Sequence, residues 1–171
     1  LGLELGQLLS AGPGPLLNGV RSLLAGRLAP PHMPLPVIDG NSPRSDYDIN
    51  PNFPRPEGPL RPAAVRVPII ERPAGLQVLF SRRTETLSQH DGPLSFTGGR
   101  LDPGDVDAEA GALRETEEEI GLDRHYVEIL GRLDPYVTVT SYAVTPVVGM
   151  VQPGFTLTLH AGEVAEAFEV Q

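Results

Sequence analysis

Residues 98–122 read GGRLDPGDVDAEAGALRETEEEIGL, and this stretch decides the fold. A glycine-rich turn runs into a segment of helical character that carries Arg114, Glu115, Glu117, Glu118 and Glu119. A helix turns by about 100° per residue, so positions i, i+3 and i+4 share a face. Glu115, Glu118 and Glu119 have that spacing, while Leu113 and Ile120 project to the other side and can enter a core. Like charges stacked in this way repel by roughly 0.2–0.5 kcal/mol per pair on an isolated helix. Arg114 offsets part of the repulsion. A hard divalent cation would offset more, because Mg²⁺ and Mn²⁺ take carboxylate oxygens. A solvated acidic face is the plainer alternative. Two features count against it. The acids adjoin Gly98 and Gly99, where bare backbone can approach a ligand. They also sit toward the C-terminal half of the helix, where the macrodipole disfavours negative charge.

Read as a pattern, the stretch resembles the Nudix box: Gly, five residues, Glu, seven residues, then Arg-Glu-hydrophobic-x-Glu-Glu-x-Gly-hydrophobic. Gly99 is followed after five residues by Asp105, then after eight by Arg114-Glu115-Thr116-Glu117-Glu118-Glu119-Ile120-Gly121-Leu122. Asp105 replaces Glu, one residue is added, and Thr116 takes a hydrophobic position. The added residue is similar to the coenzyme A diphosphatase branch of the family. Ahead of the box, Leu79, Phe80, Ser81, Arg83, Thr84, Ser88, Gly92, Phe96, Thr97, Gly98 and Gly99 fall in register with that branch. Ser88 stands where the branch has Arg, which removes a bidentate phosphate contact. Thr97 stands where it has Pro, which removes a fixed φ from the turn.

The resemblance implies an α/β Nudix fold, an α/β/α sandwich with a mixed sheet, preceded here by an N-terminal helical and Pro-rich extension. It implies a metal-dependent hydrolase using Mg²⁺ or Mn²⁺. Glu118 and Glu119 are the expected ligands, and Glu115 is a third ligand or the base that activates water. The Gly98 carbonyl is a further donor, and Arg114 orients Glu115 or Glu119. Nudix enzymes often take one more acid from a distant loop. Glu163 matches best, with Glu166 the runner-up. Gly98, Gly99, Arg82 and Arg83 are candidate substrate contacts, although Arg82 is equally well read as a solvent-facing strand end. Tyr136 and Tyr142 are better read as packing on the sheet than as lining a site. Coenzyme A, cleaved to 3′,5′-ADP and 4′-phosphopantetheine, is the preferred substrate. ADP-ribose, dinucleoside polyphosphates, oxidised nucleotides and a catalytically silent binding module are the alternatives.

The rest of the chain sets limits. In 171 residues, 13 basic and 22 acidic side chains leave a net charge of −9, which argues against nonspecific nucleic-acid binding. An acidic protein needs a cation to hold an anionic nucleotide. The absence of cysteine excludes disulfides and thiol nucleophiles and fits a reducing, cytoplasmic location. Residues 1–60 divide from the Nudix domain expected over 61–171. Gly12 to Pro15 interrupt the first apolar run, so it is no membrane span, and the chain shows no secretory signal. Leu16, Val20, Leu23 and Leu24 have amphipathic helical spacing. Such a helix packs on the domain or on a second subunit, which leaves a homodimer open. The proline-rich 30–62 segment reads as a linker or wrapping arm, with His32 a surface residue. Strands are expected over 63–72, with Pro68 suited to an edge or bulge, over 76–83, and two or three over 126–152. Coenzyme A-type members continue past this chain's end, so either the sequence is a fragment or its missing layer comes from elsewhere.

Overall fold

A computed structural model describes residues 15–24, 26–35, 38, 44–84 and 93–171. Ser88, His90 and Gly92 lie outside these. A mixed sheet of eight strands is the centre of the molecule. β1 (Arg61–Arg72) and β2 (Gly75–Arg83) form the expected hairpin, with Ile69 opposite Val78 and Arg72 opposite Gly75. β3 (Leu94–Ser95) adds to β2, and β4 (Gly98–Arg100) pairs antiparallel with the start of β1. β5 (Val127–Arg132), β6 (Tyr136–Val137) and β7 (Tyr142–Val151) follow the box. β7 runs parallel to β1 over its length and antiparallel to β5 and β6. The final strand, β8 (Val164–Val170), pairs with the far part of β2.

Pro68 departs from its expected place. β1 is a central strand, flanked by β7 on one side and by β4 and β2 on the other. A proline is tolerated because β1 changes partner there. Its antiparallel pairs with β4 end at Val65, and those with β2 begin at Ile69. The missing N–H falls in the gap between two ladders.

The extension packs on this sheet. Helix α1 (Pro15–Leu24) contacts β1 and β2 and buries Leu17. Its N-terminal N–H groups at Leu16 and Leu17 face the Glu71 carboxylate at 3.4 and 3.1 Å, where the macrodipole favours an anion. Arg21 pairs with Glu128 of β5 at 2.5 Å. Ala29 then bridges Arg132, and Ser45 bridges Val137. Proline density gave no expectation of helix here, yet one turn, α2 (Asp46–Ile49), forms behind a bond from the Ser45 N–H to the Asp48 carboxylate. Among the described residues no helix is long and apolar enough to cross a membrane.

Helix α3 (Ala108–Ile120) lies across one face of the sheet. Asp107 caps its start by accepting the Ala110 N–H at 2.7 Å. Gly121 ends it in the left-handed region at φ 66°, and a side chain there would meet Thr158 at 2.9 Å. Two apolar clusters fill the layer between. One joins Ala108 and Ala112 to Ala64 and Val147, and the other joins Ile120 and Leu122 to Ile70, Leu79, Val151 and Val164.

β1 alternates faces, so Arg66 projects to the same side as the buried Ala64 and Ile70. Its guanidinium is fully buried, and none of its three nitrogens has a hydrogen-bond partner among the described residues. Burial pushes its pKa down to about 10, against the attraction of Glu117. An unpaired buried charge is destabilising, so an apolar side chain of similar length is the better core residue. Arg66→Met is expected to raise the unfolding free energy by about 2 kcal/mol in urea titration. An unchanged or lowered value would contradict this reading of the core.

Candidate active site

The site begins with a close approach. β4 lies against β1 so tightly that a Cβ on Gly98 would stand 2.3 Å from the Ala64 carbonyl oxygen and 2.6 Å from the Val65 Cα. Only glycine fits there. The Gly98 N–H consequently reaches α3 and donates to Glu119 Oε2 at 3.2 Å. Gly99 is constrained from the other side, since a Cβ there would meet the Glu115 carboxylate at 2.7 Å. The two glycines thus give bare backbone against two of the box glutamates.

Glu119 is 3% exposed. Its Oε1 accepts from Arg83 Nη1 at 3.3 Å. Burial raises its pKa above the ordinary carboxylate value, the Gly98 N–H and Arg83 work against this, and Glu115 and Glu163 add repulsion. Glu163 therefore faces the box electrostatically, although it lies far along the chain. Backbone bonds fix its loop to the end of β2: the Thr84 N–H donates to the Glu163 carbonyl at 2.9 Å, and the Thr84 hydroxyl to the Gly162 carbonyl.

Arg114 organises the other acids. It grips Asp105 with two parallel bonds, Nε to Oδ1 at 3.1 Å and Nη2 to Oδ2 at 2.9 Å. Its Nη1 donates to Glu115 Oε1 at 2.9 Å and to Glu118 Oε2 at 3.1 Å. This pairing holds the Asp105 carboxyl below the ordinary range and raises the arginine. Arg114 thus holds Glu115, one of the two partners expected from sequence, while Arg83 holds Glu119.

Arg82 sits at the β2–β8 pairing. It lies 3.7 Å from Glu166 and over the Phe168 ring. Phe80 stacks between Phe96 and Phe168 at 4.7 and 6.4 Å. Tyr136 donates to Asp46 at 2.7 Å, and burial with that carboxylate pushes its pKa up to about 12. Tyr142 packs under Arg61. Both tyrosines tie structure together, as their sequence context suggested.

Two departures from the family pattern meet in space. Thr116 is fully buried and donates to the Ala112 carbonyl at 2.7 Å. Its hydroxyl hydrogen is thereby used, so the 2.9 Å contact with Thr97 has Thr97 as donor. A hydroxyl pair stands where the pattern has a proline and an apolar residue. The pair links the turn before Gly98 to the helix that bears the acids. The sequence shows the two threonines as separate substitutions, and nothing local in it couples them.

With this geometry in view, the comparisons place the chain. The profile of the NUDIX domain matches residues 60–169, and the chain belongs to the NUDIX family. Among curated relatives, an uncharacterised Nudix hydrolase NudL of Photorhabdus laumondii is 44% identical over 110 residues, covering 64% of this chain and 58% of that protein. The mouse peroxisomal coenzyme A diphosphatase NUDT7 is 42% identical over 107 residues, covering 63% of this chain and 45% of that protein. The chain thus spans about half the length of these relatives. Among solved structures, an Ap4A hydrolase of C. elegans matches with TM-score 0.53 at 18% identity, covering 63% of this chain and 77% of that one. The M. smegmatis Nudix hydrolase RenU matches with TM-score 0.54 at 19% identity, covering 66% and 71%. These two establish the α/β Nudix fold with its mixed sheet.

The threonine pair yields a prediction. Thr97→Val and Thr116→Val should each lower stability by about 1–2 kcal/mol, because each strands a buried polar partner. The double variant should lose less than the sum, with a coupling of at least about 0.5 kcal/mol in a double-mutant cycle. Additive losses would mean that the hydroxyls do not bond.

Proposed function

We propose that this chain carries the catalytic domain of a Nudix hydrolase that cleaves a nucleoside diphosphate linked to another group, with coenzyme A as substrate and 3′,5′-ADP and 4′-phosphopantetheine as products. The observation that carries the reading is the placing of Glu115 and Glu119 against the Gly98-Gly99 backbone, with Glu118 joined to Glu115 through Arg114 and Glu163 adding to the negative field at Glu119. The extra box residue and the 42% identity to a coenzyme A diphosphatase favour that substrate over other nucleotides.

By residue type the donor set suits a hard divalent cation, although the three carboxylates do not all lie within 4.8 Å of one another and a cation would have to draw them together. Glu119 is a buried carboxylate whose charge is disfavoured by burial and by neighbouring acids, a cost that a cation relieves. Glu115, Glu118 and Glu119 would hold Mg²⁺ or Mn²⁺. Bound there, the ion supplies charge neutralisation of the diphosphate and acidification of water.

The remaining work falls to the chain's own groups. Arg114 aligns Glu115 and Glu118 through a single nitrogen, and its grip on Asp105 fixes where that nitrogen lies. The Gly98 N–H and Arg83 align Glu119. The Arg83 side chain is about half exposed, 47%, so it can also meet a substrate phosphate, to which a guanidinium is suited. Glu115 or Glu163 would take the proton from the water that attacks phosphorus. That attack forms one P–O bond and breaks the anhydride P–O bond. Catalysis of this kind is chiefly positioning and electrostatics.

Product analysis tests the reading. Coenzyme A, ADP-ribose and diadenosine polyphosphates are incubated in parallel with Mg²⁺ or Mn²⁺, using the full-length protein. Metal-dependent release of 4′-phosphopantetheine is expected, with a loss of about 100-fold or more in Glu118→Gln. Cleavage of another substrate alone would discard coenzyme A and keep the enzyme class. Nucleotide binding without any product would replace the hydrolase with a binding module.

A further inference from the structure

We propose that His32, Asp107 and Glu109 form a second cation site, at the start of α3, suited to one borderline divalent transition ion such as Zn²⁺. One ligand-capable atom from each residue lies within 4.8 Å of the other two, and among the described residues this is the group with that geometry. The site is separate from the box glutamates and does not depend on their function. It lies where the arm after α1 crosses the N-terminus of α3, so its occupant would clamp the extension to the domain.

Each carboxylate uses one oxygen for the fold. Asp107 Oδ1 caps the helix through the Ala110 N–H, and its Oδ2 lies 2.5 Å from His32 Nδ1. Glu109 Oε1 accepts the His32 N–H at 3.2 Å, so the carboxylate is directed at the His32 loop. The same Oε1 lies 3.0 Å from Arg132 Nε, close as charges but not aligned as a hydrogen bond. Glu109 is 1% exposed, and its Oε2 is buried with no hydrogen-bond partner among the described residues. That oxygen is thereby left with a lone pair that a cation could take. A buried carboxylate oxygen without a donor is costly to keep.

The residue types select the ion. Two carboxylates and a neutral imidazole suit Zn²⁺ better than Mg²⁺ or Ca²⁺, which prefer sets made of oxygen alone. Three protein ligands leave one tetrahedral position for water. The exposed side chain of His32 gives access to the ion from solvent. Arg132, buried against Glu109 and bonded to the Pro30 and Met33 carbonyls, offsets one of the two acidic charges and leaves the other for the ion.

The test is equilibrium dialysis with Zn²⁺ in excess Mg²⁺, supported by the visible spectrum of the Co²⁺ form. It compares the full chain with His32→Ala, Asp107→Asn and Glu118→Gln. Asn at 107 keeps an oxygen to cap the helix while removing the ligand oxygen. A single Zn²⁺ per chain is expected in the wild type and in Glu118→Gln. Affinity should fall about 10-fold or more in His32→Ala and Asp107→Asn. A Zn²⁺-dependent rise in Tm should accompany binding and vanish in His32→Ala, with folding of the variant checked by circular dichroism. No Zn²⁺ uptake by the wild type, uptake that survives His32→Ala, or uptake lost in Glu118→Gln would each overturn the proposal. Survival in His32→Ala would move the ion to His125, His160 or the box.

Discussion

The contact on which the site depends is the approach of Gly98 to β1. With 2.3 Å between a notional Cβ and the Ala64 carbonyl oxygen, any side chain at 98 would push β4 away from β1. The Gly98 N–H would then leave Glu119, and the turn would lose its register with the helix. Several features converge on this point. The Arg66 N–H donates to the Thr97 carbonyl, and the Thr97 hydroxyl donates to Thr116 inside the helix layer. Turn, strand and helix are thus locked together by backbone and buried hydroxyl bonds, before any ionised group is considered.

Around that frame, charge is arranged against local preference. Four glutamates crowd the C-terminal half of α3, where the helix dipole opposes them. Arg83 and Arg114 neutralise part of this charge, and each takes a different subset. Arg83 takes the buried Glu119, while Arg114 takes Glu115 and Glu118 from a position fixed by Asp105. An arrangement built for stability alone would place fewer acids there. A divalent cation held there, as proposed above, would offset the charge that the arginines leave. Arg66, buried beneath the same helix without a hydrogen-bond partner among the described residues, is a further departure from what the core alone would select.

Much of this was legible in the sequence. The box residues from Arg114 to Leu122 declared their helix and its acid face by spacing. The hairpin of β1 and β2 followed from composition and a short turn, as did the strands after the box. Other features depended on contacts between distant residues. Pro68 marked an edge by local rules, but only the change of partner from β4 to β2 explains its central position. Val164, Phe168 and Val170 fall on the alternating pattern of β8, but Glu166 interrupts it and the pairing with β2 joins residues far apart in the chain. The Thr97–Thr116 bond and the meeting of His32 with Asp107 join residues with no sequence relationship. Nothing beside Arg66 in the sequence marks it as buried, since burial at a single residue is set by what packs above it.

Glu119 is the carboxylate proposed to take the divalent cation. The most direct measurement is Mn²⁺ binding by electron paramagnetic resonance, made in a His32→Ala background so that the box glutamates are read alone. Replacing Glu119 with Gln should weaken binding by about 10-fold or more, with the fold retained by circular dichroism. Equal Mn²⁺ affinity with and without the Glu119 carboxylate would contradict the account, since the buried acid would then serve the fold and not the cation.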